Sequence, residues 1–222
     1  MRYYPVFLEL RGKKVVVIGG GQVAFRKVET LLMCGANVHL VAKRLDQRLK
    51  QYIEGGRVKY EGGQFNPEIL NDSTLVIAAT DNTELNKKIS KEAKKRNILV
   101  NVVDNPKECN FIVPSIVRRG DLIVAISTSG NSPALSKRLR ERFEDILGRE
   151  YELFLNLMKY IRKSIISKGQ SSEENKKVFY KLVDSSLISL IKENRYEEVC
   201  SKVEEITGIK IPLNKLIDIM DA

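Results

Sequence analysis

The chain has 222 residues, 43% of them hydrophobic and 30% charged, with 14 Gly and 6 Pro. That composition excludes collagen-like, low-complexity and disordered chains, and the length allows one or two globular domains. The 38 basic residues outnumber the 28 acidic ones, giving a net charge of +10. Nucleic acid, an anionic membrane surface or a polyanionic small substrate could each meet that excess, but the bases are scattered along the chain rather than gathered in one arm.

Apolar runs such as residues 15–18 and 122–126 fall far short of the roughly 18 residues that span a bilayer. Glu9 and Arg11 stand where a signal peptide needs an apolar stretch. No membrane association and a cytoplasmic location are expected.

Over residues 1–113, short β-rich runs alternate with helical stretches, the pattern of a parallel sheet covered by helices. Strands are predicted at 15–19, 37–41, 58–61, 75–79 and 98–103, and helices at 23–33 and 84–96. Right-handed crossovers make this an α/β, Rossmann-type doubly wound sheet whose ligands sit at the carboxyl ends of its strands. From Phe111 the character changes: apolar segments 111–117 and 122–126 flank the turn Arg119-Gly120-Asp121. The stretch Ser127-Thr128-Ser129-Gly130-Asn131-Ser132-Pro133 follows, then a helix with Leu135, Leu139, Phe143, Ile146 and Leu147 on one face. Ser132 suits the N-cap and Pro133 the first helical position. From Tyr151 the pattern is helical, with breaks near 168–172 and 208–212. The apolar residues of 176–194 recur at helical spacing, which signals core packing rather than a DNA-reading helix, so no nucleic-acid partner is expected. The chain therefore divides into 1–113, a small central α/β segment at 114–149 and an all-helical part at 150–222.

The first predicted strand runs into Gly19-Gly20-Gly21-Gln22-Val23-Ala24 and then a helix. Gly19 permits the tight turn, Gly21 lets the backbone approach a pyrophosphate, and Ala24 allows close helix-to-strand packing. The helix N-terminus presents N–H groups and partial positive charge to phosphates, which makes this a candidate dinucleotide site. The acid that ordinarily binds the adenosine ribose is missing from the end of the second strand, where Lys43 and Arg44 stand instead; spacing alone leaves NAD and NADP both open. Thr80-Asp81 ends the fourth strand and Asp104 the fifth, on the same carboxyl edge as the glycine loop. Asp81 suits a helix N-cap as well as it suits a cofactor contact. Asp104 precedes Asn105-Pro106 with no evident helix to cap, and is the better candidate for acid–base work. Cys34, Cys109 and Cys200 are odd in number and far apart, which argues for free thiols over disulfides or zinc. The single histidine, His39, lies in the apolar stretch 38–42 and reads as a strand residue, so no metal site is expected.

Several blocks together resemble the precorrin-2 dehydrogenase and sirohydrochlorin ferrochelatase family, the N-terminal module of siroheme synthases. They are Tyr4-Pro5-Val6-Phe7-Leu8-Glu9-Leu10, the glycine loop with Arg26-Lys27, Ala78-Ala79-Thr80-Asp81-Asn82, and Asn101-Val102-Val103-Asp104. The most specific are Phe111-Ile112-Val113-Pro114-Ser115-Ile116 and Ile126 through the serine-rich loop to Pro133. The resemblance covers residues 4–147; beyond 150 only the helical character agrees. It implies an NAD-binding domain at 1–113, dimerisation through 114–149, a helical domain at 150–222, and a homodimer. It sets aside NADP and implies NAD contacts at Gln22-Val23 and Lys43-Arg44. It implies Asp104 as the catalytic aspartate and the loop Ser127, Thr128, Ser129, Gly130, Asn131 and Ser132 as part of the substrate site.

On that reading, precorrin-2, a tetrapyrrole ringed with carboxylates, suits a basic protein. Arg118, Arg119 and Lys137, with Arg138 and Arg140, are candidate clamps. Hydride passes to NAD while Asp104 takes a proton, giving sirohydrochlorin. Ferrous iron is a candidate second substrate, as some members of the family also insert the metal. No uroporphyrinogen methyltransferase module is expected to follow. The rival readings are a non-catalytic module that senses NAD(H), and another small-molecule dehydrogenase.

Overall fold

The computed structural model describes residues 2–167, 169 and 171–221. The chain forms two compact units, Met1–Val113 and Pro114–Ala222.

In the first unit, β1 (Lys14–Ile18), β2 (Asn37–Val41), β3 (Val58–Tyr60), β4 (Leu75–Ala78) and β5 (Leu99–Val102) form one parallel sheet in the order β3-β2-β1-β4-β5. Crossovers run through α1 (Gln22–Met33), α2 (Gln47–Glu54) and α3 (Thr83–Lys95). The strands are continuous apolar runs because both sheet faces are covered. Val15, Val17, Leu40 and Ile77 pack with Ala24, Val28 and Leu49 on one face. Val16, Ile18, Val76, Ala78 and Val100 pack with Ile89 and Ala93 on the other. The register pairs Ile18 with both Val41 and Ala78, and Ala78 with Val102. The loops that leave β1, β2, β4 and β5 therefore emerge side by side.

The second unit begins with the antiparallel hairpin β6 (Ser115–Arg119) and β7 (Leu122–Ile126), packed against α4 (Pro133–Ile146). β6 starts later than the sequence pattern suggests, after Pro114, which has no N–H to donate to a ladder. Then come α5 (Glu150–Ile166), α6 (Ser172–Val183), α7 (Leu187–Lys192), α8 (Tyr196–Thr207) and α9 (Leu213–Met220). Leu157, Ile161, Leu182, Leu187, Ile191, Val199, Val203 and Leu216 are their shared core. Of the expected break near 168–172, Lys168 and Gln170 lie outside the described residues; α6 opens with a capping box of Ser171 and Glu174. The helical pattern of 176–194 belongs to two helices, with α6 ending at Val183 and α7 beginning at Leu187. Gly208, left-handed at φ 66°, ends α8.

Candidate functional site

The glycine loop is pinched between two neighbouring strand ends. Gly19 has φ +123°, and a Cβ there would lie 2.1 Å from the Ala79 carbonyl oxygen. A Cβ on Gly20 would lie 2.1 Å from the Arg44 carbonyl oxygen and 2.7 Å from the Ala42 Cβ. Gly19 N–H donates to the Val41 carbonyl (2.9 Å), and Asp46 N–H donates to the Gly20 carbonyl (2.8 Å). At Gly21 a Cβ would meet nothing within 4 Å. Gly21 N-caps α1 with no side-chain hydrogen bond and no acid in the first turn. The first-turn N–H groups and the positive end of the α1 dipole thus face open space, an arrangement that fits a pyrophosphate. Gln22 is exposed beside it, Val23 is half-buried, and buried Ala24 lets α1 approach the sheet. The close approach at Gly20 is not among the sequence expectations, although the run of three glycines is a signal of it.

At the end of β2, Lys43 and Arg44 are exposed, and among the described residues neither side chain makes a hydrogen bond or ion pair. The nearest acid along the chain, Asp46, N-caps α2 by accepting from Arg48 N–H (3.0 Å) and binds the Arg48 guanidinium at 3.0 and 2.8 Å. Those bonds hold its carboxyl down at about 2. With Asp46 so engaged, the cations Lys43 and Arg44 are what this edge offers a dinucleotide.

The β4–α3 turn is built around the buried Asn86. Thr80 Oγ1 donates to Asn86 Oδ1 (2.7 Å), and Asn86 Nδ2 donates back to the Thr80 carbonyl (2.9 Å). The α3 cap is Asn82, whose Oδ1 accepts from Leu85 N–H at 2.9 Å. This corrects the cap reading of Asp81: the cap lies one residue later, where the chain turns into the helix, and Asp81 stands exposed at the sheet edge. Asp104 follows β5 with φ 60°, in the left-handed region, and is exposed. A non-glycine residue there costs conformational energy and is concentrated at functional sites. A short 3₁₀ turn, Pro106–Glu108, comes next, braced from α3 by Ser90 Oγ donating to the Glu108 carbonyl at 2.7 Å. The glycine loop, Lys43-Arg44, Thr80-Asp81 and Asp104 are thus brought to one sheet edge.

The remaining candidates lie in the second unit. Ser129 and Gly130 both have positive φ (56° and 87°), and the loop folds on its own hydroxyls. Ser127 Oγ accepts from Ser129 N–H (3.0 Å), and Thr128 Oγ1 accepts from Ser132 N–H (3.1 Å). Asn131 N–H donates to the Thr128 carbonyl (3.0 Å), and Ser132 Oγ accepts from Leu135 N–H (3.3 Å) as the α4 N-cap. The Arg119 guanidinium donates to the carbonyls of Arg118 (2.8 Å) and Glu144 (2.9 Å), so it fastens β6 to the end of α4. Arg118 spends its Nε–H on the Gly120 carbonyl (3.0 Å) and lines a polar groove with Arg149, Asn156 and Lys159. Lys137 is exposed, 4.0 Å from Glu141, and Arg140 pairs with Glu144 at 2.5 Å.

His39 is buried in β2, with Nδ1 2.7 Å from Glu61 Oε1. Lys59 first, and His39 second, hold the Glu61 carboxyl below its ordinary value against a burial cost that acts the other way. All three cysteines are free thiols. Among the described residues, no three His, Cys, Asp or Glu side chains gather as metal ligands, and no helix is long and apolar enough to cross a membrane.

Residues 6–115 match a family described as NAD(P)-binding, and residues 119–146 match one described as the central part of a sirohaem biosynthesis protein. Siroheme synthase 1 of Pectobacterium atrosepticum is 37% identical over 205 residues, which is 92% of this chain and 43% of that protein. Siroheme synthase of Photorhabdus laumondii is 46% identical over 147 residues, 66% of this chain and 31% of that one. The chain thus spans less than half the length of these curated relatives. Among solved structures, SirC, a precorrin-2 dehydrogenase, superposes with a TM-score of 0.76 at 24% identity, covering 93% of this chain and all of that one, and so shares its fold. With both matched segments in order along one chain, and relatives that align over nearly its whole length, the chain belongs to the family formed by the NAD(P)-binding and central segments of siroheme synthases.

Proposed function

We propose that the protein oxidises precorrin-2 to sirohydrochlorin with NAD, and that Asp104 is the general base. The observation that carries this reading is the placement of a carboxylate, on a left-handed turn, at the same sheet edge as a helix N-terminus left open for a pyrophosphate. The relatives are named siroheme synthases, and SirC, which has the same fold, is named a precorrin-2 dehydrogenase; those names supply the substrate class.

NAD, when bound, supplies the hydride acceptor. Gly21, Gln22 and Val23 take the pyrophosphate through backbone N–H groups, Gly19, its own N–H held by the Val41 carbonyl, shapes the turn beneath it, Lys43 and Arg44 flank the adenosine end, and Thr80 and Asp81 line the edge towards Asp104. One C–H of the substrate is lost as hydride and one proton goes to the Asp104 carboxylate, so the macrocycle loses two hydrogens and two electrons. For the carboxylates of the substrate we assign Ser127, Thr128, Ser129, Gly130, Asn131 and Ser132, with Arg118 and Lys137. Arg119, held by two carbonyls, serves by fixing β6. The chain reads as three functional parts, 1–113 for NAD, 114–149 for pairing with a second copy and 150–222 as a helical domain. The free thiols accord with a cytoplasmic setting.

A homodimer is supported by the two-stranded hairpin, which has two open edges, and by apolar side chains left exposed on it and on α4: Ile116, Ile123, Leu135, Phe143 and Ile146. A two-stranded sheet with one helix is a poor fold on its own terms and gains from a partner.

The test is anaerobic incubation with precorrin-2 and NAD, following NADH and the sirohydrochlorin spectrum, then repeated with ferrous iron. NADH is expected with sirohydrochlorin, and Asp104→Asn should keep NAD binding while turnover falls by about 100-fold or more, the scale of a lost general base. Faster loss of sirohydrochlorin with iron would add the chelatase, with Asp104 again taking pyrrole protons. Absence of NADH from authentic substrate, with NAD still bound, would favour the sensing module.

A further inference from the structure

β5 is the last strand of the sheet, so one row of its N–H and C=O groups has no neighbouring strand. Bare edges of this kind are costly and are usually covered. Here the cover is supplied by two adjacent residues just after the Asp104 turn. Asn110 acts as a piece of strand: its Oδ1 accepts from Val100 N–H (2.7 Å), its Nδ2 donates to the Ile98 carbonyl (3.0 Å) and its own N–H donates to the Val100 carbonyl (3.1 Å). Cys109 takes the next position. Its Sγ accepts from Val102 N–H at 3.1 Å and lies 3.3 Å from the carbonyl oxygens of both Val102 and Asn105. Asn101 Nδ2 reaches the same sulfur at 3.6 Å.

Val102 and Asn105 bracket Asp104 in the chain. The sulfur therefore sits inside the turn and ties the residues before and after Asp104 to one point. The turn needs such a tie, since φ 60° at Asp104 is not a conformation the residue adopts at no cost. We propose that Cys109 is a positioning residue that sets the orientation of the Asp104 carboxylate through these hydrogen bonds, rather than a thiol held only for packing. The proposal rests on the reading of Asp104 as general base.

Cys109→Val puts a somewhat larger, branched side chain in the same place that can neither accept nor donate, whereas Cys109→Ser keeps a shorter hydrogen-bonding group. Both are compared with wild type, Asp104→Asn and the Cys109→Val/Asp104→Asn double variant, in the anaerobic assay for NADH from precorrin-2. A displacement of the carboxylate of about 1 Å lowers kcat about 10- to 100-fold, and that is the expected loss in Cys109→Val. Its KM for NAD should stay within about twofold of wild type, because the glycine loop is untouched. Cys109→Ser should fall between the two. The double variant should be no slower than Asp104→Asn alone, since a residue acting through Asp104 has nothing further to remove.

Wild-type kcat in Cys109→Val overturns the proposal, as does a further loss in the Asp104→Asn background. If Cys109→Val does not fold, Cys109→Ala, which removes the sulfur without filling its place, decides: a kcat lowered about threefold or more, with unchanged KM for NAD, supports the tie, and full kcat refutes it. A wild-type protein that makes no NADH defeats the reading of Asp104 and the proposal with it. An active wild type with an inactive Asp104→Asn and an unimpaired Cys109→Val defeats the proposal alone.

Discussion

Gly20 and Gly21 are adjacent and of one residue type, yet their surroundings assign them different work. A methyl group on Gly20 would fall 2.1 Å from a backbone oxygen, that of Arg44, which cannot swing aside as a side chain could. Gly20→Ala must therefore move the β2 exit or the loop, at a cost of about 1–3 kcal/mol typical of overpacking. Gly21 has an ordinary φ of −87° and open space around its Cβ position, so Gly21→Ala should fold with the wild-type melting temperature. The added methyl group would nonetheless occupy the space where a pyrophosphate approaches the α1 N–H groups. Thermal denaturation and NAD titration should separate the two: Gly20→Ala loses both stability and affinity, and Gly21→Ala loses affinity alone, by about tenfold or more, equivalent to 1.4 kcal/mol. Unchanged NAD affinity in Gly21→Ala would place the cofactor elsewhere.

The β4–α3 turn shows how one buried side chain sets the path of an element boundary. Asn86 lies one turn into α3 and both donates to and accepts from Thr80, so the loop carrying Thr80 and Asp81 is fixed from beneath. Asn86→Ala takes the side-chain donor from the Thr80 carbonyl, at about 1–3 kcal/mol, while the Thr80 hydroxyl keeps its bonds to the Asn82 backbone. The expected kinetic sign is a raised KM for NAD with kcat nearly unchanged, measured by steady-state NADH formation; a fall in kcat alone would mean the turn serves catalysis rather than cofactor binding. None of this is visible in the sequence, where Asn86 is one polar residue in a polar helix. What the sequence does declare are features with a strong local cause. The five strands of the parallel sheet, most of them rich in branched apolar residues, stand within two residues of their expected bounds, and Ser132-Pro133 opens α4 as expected. α2 has no clear signature in the sequence because Gln47–Glu54 is short and largely polar, with Leu49 alone fully buried. The Asp104 position was legible from strand order and a turn signal. Its left-handed backbone and the Cys109–Asn110 cover of β5 were not, since they depend on chain segments meeting across the loop.

At the scale of the whole molecule, the net charge of +10 is compatible with a polycarboxylate substrate but locates no site, because many of the bases on α4 are already paired with Glu141 and Glu144. The apolar surface is more informative. Leu135 is 50% exposed and Ile146 62% exposed on α4, on the helix face whose periodicity in the sequence reads as buried. The hairpin that α4 covers on one side exposes Ile116 and Ile123 on the other. Such a surface is stable in water chiefly when something covers it, and a second copy of the chain presents the same face in the self-complementary way that a two-fold interface requires. Light scattering after size exclusion should give twice the chain mass for the wild type at micromolar concentration. Ile146→Glu, which adds charge at an already exposed position and leaves the core intact, should give the single-chain mass with an unchanged far-ultraviolet circular dichroism spectrum. NAD binding should survive in that variant, because every proposed cofactor contact lies within residues 1–113. A wild type that runs as a single chain would remove the dimer from the reading. A dimeric Ile146→Glu would move the interface off α4 and onto the hairpin edges, where a charge placed at Ile123 is the variant that should then separate the copies.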